Sequence, residues 1–139
     1  MAGNCVSGHQ APSPAEIDSS LEPHRDYYRE LPFHGDPATF FWSNRGLQQG
    51  DHFTFTLKKP EKLAAVTILM RTDRYRHEYV HAGVPGFSTD GETWQKLADL
   101  NAATVNVELP DEPLHSLRLR AEKKQRYWLI IREIVLSDG

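Results

Sequence analysis

Trp42, Asn44 and Arg45 stand almost side by side in LPFHGDPATFFWSNRGLQQGD, Leu31 to Asp51, beside a turn-forming Gly35-Asp36-Pro37. A second stretch, RTDRYRHEYVHAG, interleaves Arg71, Arg74, Tyr75, His77 and His81, and a third, EKKQRYW, runs from Glu122 to Trp128. An aromatic plane offers an apolar face, whereas Arg, Asn and His offer directional hydrogen bonds. Together they suit a ligand with an apolar side and a rim of hydroxyls, as a sugar has. Each residue also has a plainer use in packing. Trp94, directly after Asp90-Gly91, is expected at the inward position of a hairpin. Trp42 follows Phe40-Phe41, which can fill a core without it, and Trp128 opens the last apolar run, leaving Tyr127 the exposed side. His52, His115, Arg118 and Arg120 read as solvated strand positions.

The elements that must hold these loops repeat every two residues. In DHFTFTL, Phe53, Phe55 and Leu57 share one face and His52, Thr54 and Thr56 the other, a half-buried strand. Leu63 to Met70 is apolar on both faces, as in a central strand. Asp90-Gly91 between two short runs marks a hairpin. TVNVEL follows, then SLRLRAE, with Leu117, Leu119 and Ala121 inward and Arg118 and Arg120 outward, then YWLIIREIV. No stretch has a convincing helical period. Eight or so short strands predict an all-β chain, an antiparallel β-sandwich of jelly-roll type with its function in the loops at one end.

The 139 residues suit one domain, with residues 1–15 as a polar, proline-bearing linker and 16–139 as the module. Sixteen Lys and Arg against 19 Asp and Glu give a net charge of -3, no electrostatic case for nucleic acid or an anionic membrane. Cys5 is the single cysteine, so no internal disulfide is expected. No apolar run reaches the roughly 20 residues that span a bilayer, and the first ten residues lack a signal-peptide core. Loop acids Asp51, Asp73 and Glu78 could be imagined as a glycosidase pair, but nothing pairs them, and nucleophile, HExxH and phosphate-loop motifs are lacking. The chain is not expected to be an enzyme.

FHGDPATFFWSNRGLQQGDHFTFTL, GVPGFSTDGETWQKL and LRLRAEKKQRYWLIIREIVL, in that order from about Ile17 to Leu136, resemble the coagulation factor V/VIII type C, or discoidin, family. The closest likeness is to family 32 carbohydrate-binding modules, of the kind appended to bacterial hexosaminidases. The resemblance implies a galactose-binding-domain-like sandwich that binds glycans through apical loops and is tethered to a glycoside hydrolase, secreted or at the cell surface. It implies no catalysis, and the alternative is a discoidin-like module for protein or phospholipid. Carried onto this chain, the sugar-binding residues are Trp42, Asn44, Arg74, His81 and Trp128. Galactose binders of the family place Asn four residues after an Arg; here Arg71, Arg74 and Arg76 lack that Asn, so the galactose set is not reproduced, and the likeness to hexosaminidase-linked modules implies a terminal N-acetylhexosamine or related hexose.

The same resemblance bears on Arg132-Glu133, two charges inside an otherwise apolar strand. Family members brace an early loop against the last strand around a structural Ca2+, for which Asp36, Thr39 and Glu133 are the matching residues, with a carbonyl from Arg132. His34 stands where the family has its aspartate, and imidazole is a poor ligand for a hard cation. Three readings stay open. Calcium is kept with Asp36 compensating; or Glu133 is neutralised by Arg or His34 in a buried pair; or the two charges emerge at a strand edge.

Overall fold

A computed structural model describes residues 14–33, 36 and 38–137. Cys5 and His34 lie outside the described residues, as does most of the expected linker. Among the described residues nine strands follow in order: β1 Pro14–Ser19, β2 Phe41–Trp42, β3 His52–Lys62, β4 Ala65–Met70, β5 Gly83–Ser88, β6 Gln95–Lys96, β7 Thr104–Glu108, β8 Pro113–Ala121 and β9 Ile130–Ser137. The only helical turn among the described residues is a 3-10 turn at Leu31–Phe33. β1 opens at Pro14, so Pro14 and Ala15, expected in the linker, are strand residues.

The strands form two antiparallel sheets, β2-β9-β4-β7 and β1-β3-β8-β5-β6. This is the expected sandwich. On β3, Phe53, Phe55 and Leu57 are buried and His52, Thr54 and Thr56 half-buried, as the alternation requires. Leu117 of β8 lies between Phe55 of β3 and Phe87 of β5, all three buried, so one cross-strand row fixes the register of three strands. Val66, Ile68 and Met70 of β4 with Ile131, Ile134 and Leu136 of β9 supply the opposite layer. Leu63, expected within the β4 strand, instead precedes it.

The charges of β9 have a local cause. Ile131 pairs with Met70 and Glu133 with Leu69, so Arg132 is the extra residue of a β-bulge. The bulge leaves Arg132 and Glu133 half-buried, whereas Ile131 and Ile134 on either side stay inside. Beyond Ile131, β9 also has no β2 partner, because β2 reaches only Phe41 and Trp42. Among the described residues no ion pair involves Glu133, and His34, its candidate partner, lies outside them.

The Asp90-Gly91 hairpin forms between β5 and β6, but with a longer loop than a two-residue turn. Gly91 takes a left-handed φ of 83°. The Asp90 carboxylate accepts the Glu92 and Thr93 N–H groups at 2.8 and 2.9 Å and the Ser88 hydroxyl at 3.0 Å. The Thr93 and Glu92 amides, then Ser88, pull its pKa down to about 2. Trp94, expected in the core, lies instead on the outer face of the five-stranded sheet, half-buried. Its seat is Gly86: a Cβ there would come within 3.3 Å of Trp94 Cε3, so the bare backbone makes room for the indole.

Candidate functional site

The rim of the sandwich gathers segments that the sequence keeps far apart. β2 is too short to hold its place alone, and its outer edge is closed by backbone bonds: His24 N–H to the Trp42 carbonyl at 2.6 Å and Trp42 N–H to the Tyr27 carbonyl at 3.2 Å. Arg25, at φ 52°, takes the left-handed turn between those two contacts. On the other side of β2, Trp42 pairs with Ile130 of β9, which directly follows Trp128 and Leu129. The Ser43 hydroxyl accepts the Leu129 N–H at 2.8 Å and donates to the Arg45 carbonyl at 2.8 Å, locking the first loop to the third.

Six rings meet there. Trp42 lies 4.6 Å from Tyr75, 4.9 Å from His24, 5.2 Å from Tyr27, 6.0 Å from Trp128 and 6.1 Å from Phe40, centroid to centroid. His24 also touches Trp128 at 5.1 Å, and Tyr27 stacks on Phe40 at 4.8 Å. Trp42 and Trp128 are both half-buried, so the cluster is partly core and partly surface.

Glu78 sits against this cluster. Burial raises its pKa, opposed first by the nearby Trp128 backbone amide and then by Trp42, His77 and His81. The Trp42 indole Nε1 is buried without a partner at hydrogen-bond geometry; its pull on the carboxylate is that of a nearby dipole rather than a formed bond. The Glu78 carbonyl takes the Ile130 N–H at 3.0 Å, so this residue ties the second loop to the start of β9.

Beside the cluster runs a ladder of stacked rings: Tyr79 on His81 at 4.1 Å and His81 on Tyr127 at 4.9 Å, with His77 against Tyr127 at 5.2 Å. Gln125 holds it. Its Oε1 accepts the His81 N–H at 3.0 Å and its Nε2 donates to the Tyr79 and Tyr127 carbonyls at 2.8 and 3.2 Å. Its N–H donates to the Leu47 carbonyl, which adds the first loop. Gly46 lets that approach happen, because a Cβ there would fall 2.6 Å from the Gln125 carbonyl oxygen.

Of the expected sugar contacts, Trp42 and Trp128 come together directly. Arg74 is exposed, its guanidinium 5.5 Å over the Tyr75 ring that packs on Trp42. His81 joins through Tyr127, the neighbour of Trp128, and its Nε2 lies 2.9 Å from the His77 carbonyl. Asn44 is exposed, with its backbone N–H on the Glu22 carbonyl; among the described residues no hydrogen bond or ring contact ties its side chain to the cluster. Sequence reasoning missed His24, Tyr27 and Phe40 as cluster members. HRDYY, at positions 24–28, is as rich in rings and donors as the three loops named, which was the available signal.

Two supposed acids are committed to structure. Asp51, only 8% exposed, takes a two-point bond from Arg45 at 2.6 and 2.9 Å, with the Ser20 hydroxyl and Gln48 N–H at 2.8 and 2.7 Å. Burial alone would raise its pKa, but Arg45, Gln48 and Ser20 together outweigh that and lower it. Glu78 is half-buried beside the cluster, and its backbone carbonyl takes the Ile130 N–H.

The turn expected to brace a structural calcium is described in part, at Asp36 and Thr39. The Thr39 N–H and hydroxyl both bond the Asp36 carbonyl at 3.0 Å, and the Asp36 carboxylate caps the Ala38 N–H at 3.0 Å, so this turn satisfies itself. Among the described residues no three His, Cys, Asp or Glu side chains group as a metal site; the implied calcium set also draws on the Thr39 hydroxyl and backbone carbonyls. No step below depends on a metal.

The fold is similar to that of several solved structures. Chitosan-binding module 2 of a Paenibacillus sp. IK-5 chitosanase/glucanase, in complex with chitotriose, superimposes with a TM-score of 0.75 at 14% identity, over 93% of this chain and 99% of that one. CBM32-1 from a Clostridium perfringens family 31 glycoside hydrolase gives 0.72 at 13%, over 92% and 98%. The lectin domain of lectinolysin with Lewis B antigen gives 0.76 at 10%, over 93% and 95%. Among curated proteins no sequence matches. The family model for the F5/8 type C domain matches residues 16–134, nearly all of the described sandwich, and the chain therefore belongs to the F5/8 type C domain family.

Proposed function

We propose that this chain is a noncatalytic carbohydrate-binding module that holds a terminal hexose or N-acetylhexosamine at the aromatic rim. The observation that carries this reading is the pairing of Trp42 and Trp128, 6.0 Å apart and half-buried, in a cluster bordered by Arg74 and His81. A pyranose lays its CH face on an aromatic plane while its equatorial hydroxyls meet directional donors and acceptors. Arg74 donates from the second loop, His81 offers its ring, and Asn44 contributes from the first loop as a peripheral contact. Because the rings and Gln125 fix the loops in advance, little ordering cost falls on binding. The sugar-bound relatives named above support the same class of ligand, and family likeness supports tethering to a glycoside hydrolase in a secreted or surface-exposed protein.

Catalysis finds no support in the arrangement, since Asp51 is consumed by Arg45 and Glu78 is half-buried beside the aromatic cluster, with no second acid paired to it among the described residues. A phospholipid or protein ligand, the alternative, calls for apolar spikes; among the described residues the only exposed large hydrophobic is Tyr28, at 51%.

A glycan array followed by calorimetry with N-acetylglucosamine and chitotriose tests the proposal. Dissociation constants of about millimolar to micromolar, or roughly 4 to 8 kcal/mol, are expected. Trp128→Ala should weaken binding about tenfold or more, the scale of one lost stacking contact. Vesicle binding without any glycan binding would establish the alternative, and turnover of a chromogenic glycoside lost on changing Asp73 or Glu78 would establish an enzyme. Melting curves with calcium and with chelator should superimpose; a calcium-dependent rise would return Asp36, Thr39 and Glu133 to a metal site.

A further inference from the structure

The outer face of the five-stranded sheet carries a second concavity, on strands rather than loops. It measures about 520 Å³, within the range of small-ligand sites. Thr54 and Thr56 of β3 with His115, Ser116 and Arg118 of β8 form its floor, β1 contributes Glu16 and Asp18 at one side, and Trp94 walls the other. This face has the chemistry of a ligand site although the strand pattern marks it only as solvated.

Trp94 is the first indication. A surface indole resting on Gly86 contributes little to the core, yet it is held: the Arg118 guanidinium lies 4.4 Å over its ring, and Asp90 fixes the turn before it. With Arg118 against one face, what remains exposed of this half-buried indole is the rest of its plane and rim. The second indication is Arg118 itself. Its Nε is buried with no hydrogen-bond partner, and among the described residues no carboxylate lies within ion-pair distance of it. The floor adds polar groups of both kinds: Thr56 Oγ1 and Ser116 Oγ at 2.9 Å, His115 Nδ1 and Ser116 Oγ at 2.7 Å, His52 Nδ1 and Thr54 Oγ1 at 3.1 Å.

Charge decides the class of occupant. Arg118 and Arg120 face Glu16, Asp18 and Asp90 in the lining, so the two guanidinium groups are matched by carboxylates and do not make the groove an anion trap. Opposed charges and hydroxyls around one aromatic plane instead suit an uncharged polyol that both donates and accepts. We propose that this sheet face is a second carbohydrate site, for a run of neutral sugar units lying across the strands with one ring on Trp94. It extends the carbohydrate-binding reading but uses different residues, so either site can fail without the other.

The test is amide and indole NMR on the whole chain, titrated separately with hexamers of β-1,4-glucose, β-1,3-glucose and β-1,4-N-acetylglucosamine, and with tetragalacturonate. At least one neutral hexamer should shift the Thr54, Thr56, Ser116 and Arg118 amides and the Trp94 indole. Trp94→Ala and Thr54→Tyr, one removing the platform and one filling the floor, should each weaken those shifts about tenfold. Trp128→Ala should leave them unchanged, separating this face from the rim. The idea is overturned if no neutral hexamer shifts these groups, if the shifts survive both substitutions, if Trp128→Ala removes them, or if tetragalacturonate binds the face more tightly than every neutral hexamer.

Discussion

Gln125→Ala removes one side chain and releases three backbone groups at once. The His81 N–H loses its acceptor, and the Tyr79 and Tyr127 carbonyls lose their donor, at 3.0, 2.8 and 3.2 Å. Each such bond contributes about 0.5–1.5 kcal/mol net, and more is lost where a partner is left buried and unpaired. Gln125 is half-buried, so water can reach part of the gap, and the 3.2 Å bond is the weakest. A loss of about 2 kcal/mol follows, read as a lower urea midpoint with unchanged m-value, or as about 4–8 °C in melting temperature. The loops carrying His81 and Tyr127 lose their common tie, so glycan affinity should fall although Gln125 is not proposed to touch sugar. Gln125→Glu keeps the acceptor for His81 and discards the two donors; it should place a charge beside two carbonyls and be no more stable than Gln125→Ala. A stability change below about 0.5 kcal/mol, the level of an ordinary surface substitution, would refute the claim that this side chain latches the rim.

The acid limb of stability should depend on Asp51. Its folded pKa is lowered, so its contribution is complete above the ordinary carboxylate range and lost as pH falls through the folded value. Asp51→Asn should flatten that limb and cost about 2 kcal/mol at neutral pH, measured by urea titration at several pH values. Glu78 runs the other way: burial raises its pKa, so its contribution is complete below the ordinary glutamate value and falls away as pH rises through the folded one. Glu78→Gln should therefore make the protein relatively more stable at neutral than at acid pH compared with the parent; an unchanged pH profile would contradict this. Gly46→Ala should destabilise by about 2 kcal/mol or more, since its Cβ would strike the Gln125 carbonyl at 2.6 Å, and a neutral result would mean that the first and third loops do not press together.

The sequence by itself determined the sandwich. Alternation in DHFTFTL and SLRLRAE states which face of β3 and β8 goes inside, because a strand's side chains must alternate and only one face can be dry. It also placed polar and aromatic residues in the loops that meet at the rim. Only the tertiary structure decided which of them touch. Trp42 reaches Tyr75 and Trp128 because β2 pairs with β9 across 88 positions of chain, from Trp42 to Ile130, and no local pattern encodes such a pairing. Trp94 shows the limit most clearly. Its spacing suggested the core, and a missing side chain on the neighbouring strand, at Gly86, seated it outside. Arg132 is parallel: the bulge that half-exposes it is a mismatch between two strands, and one strand's sequence carries no record of its partner's length.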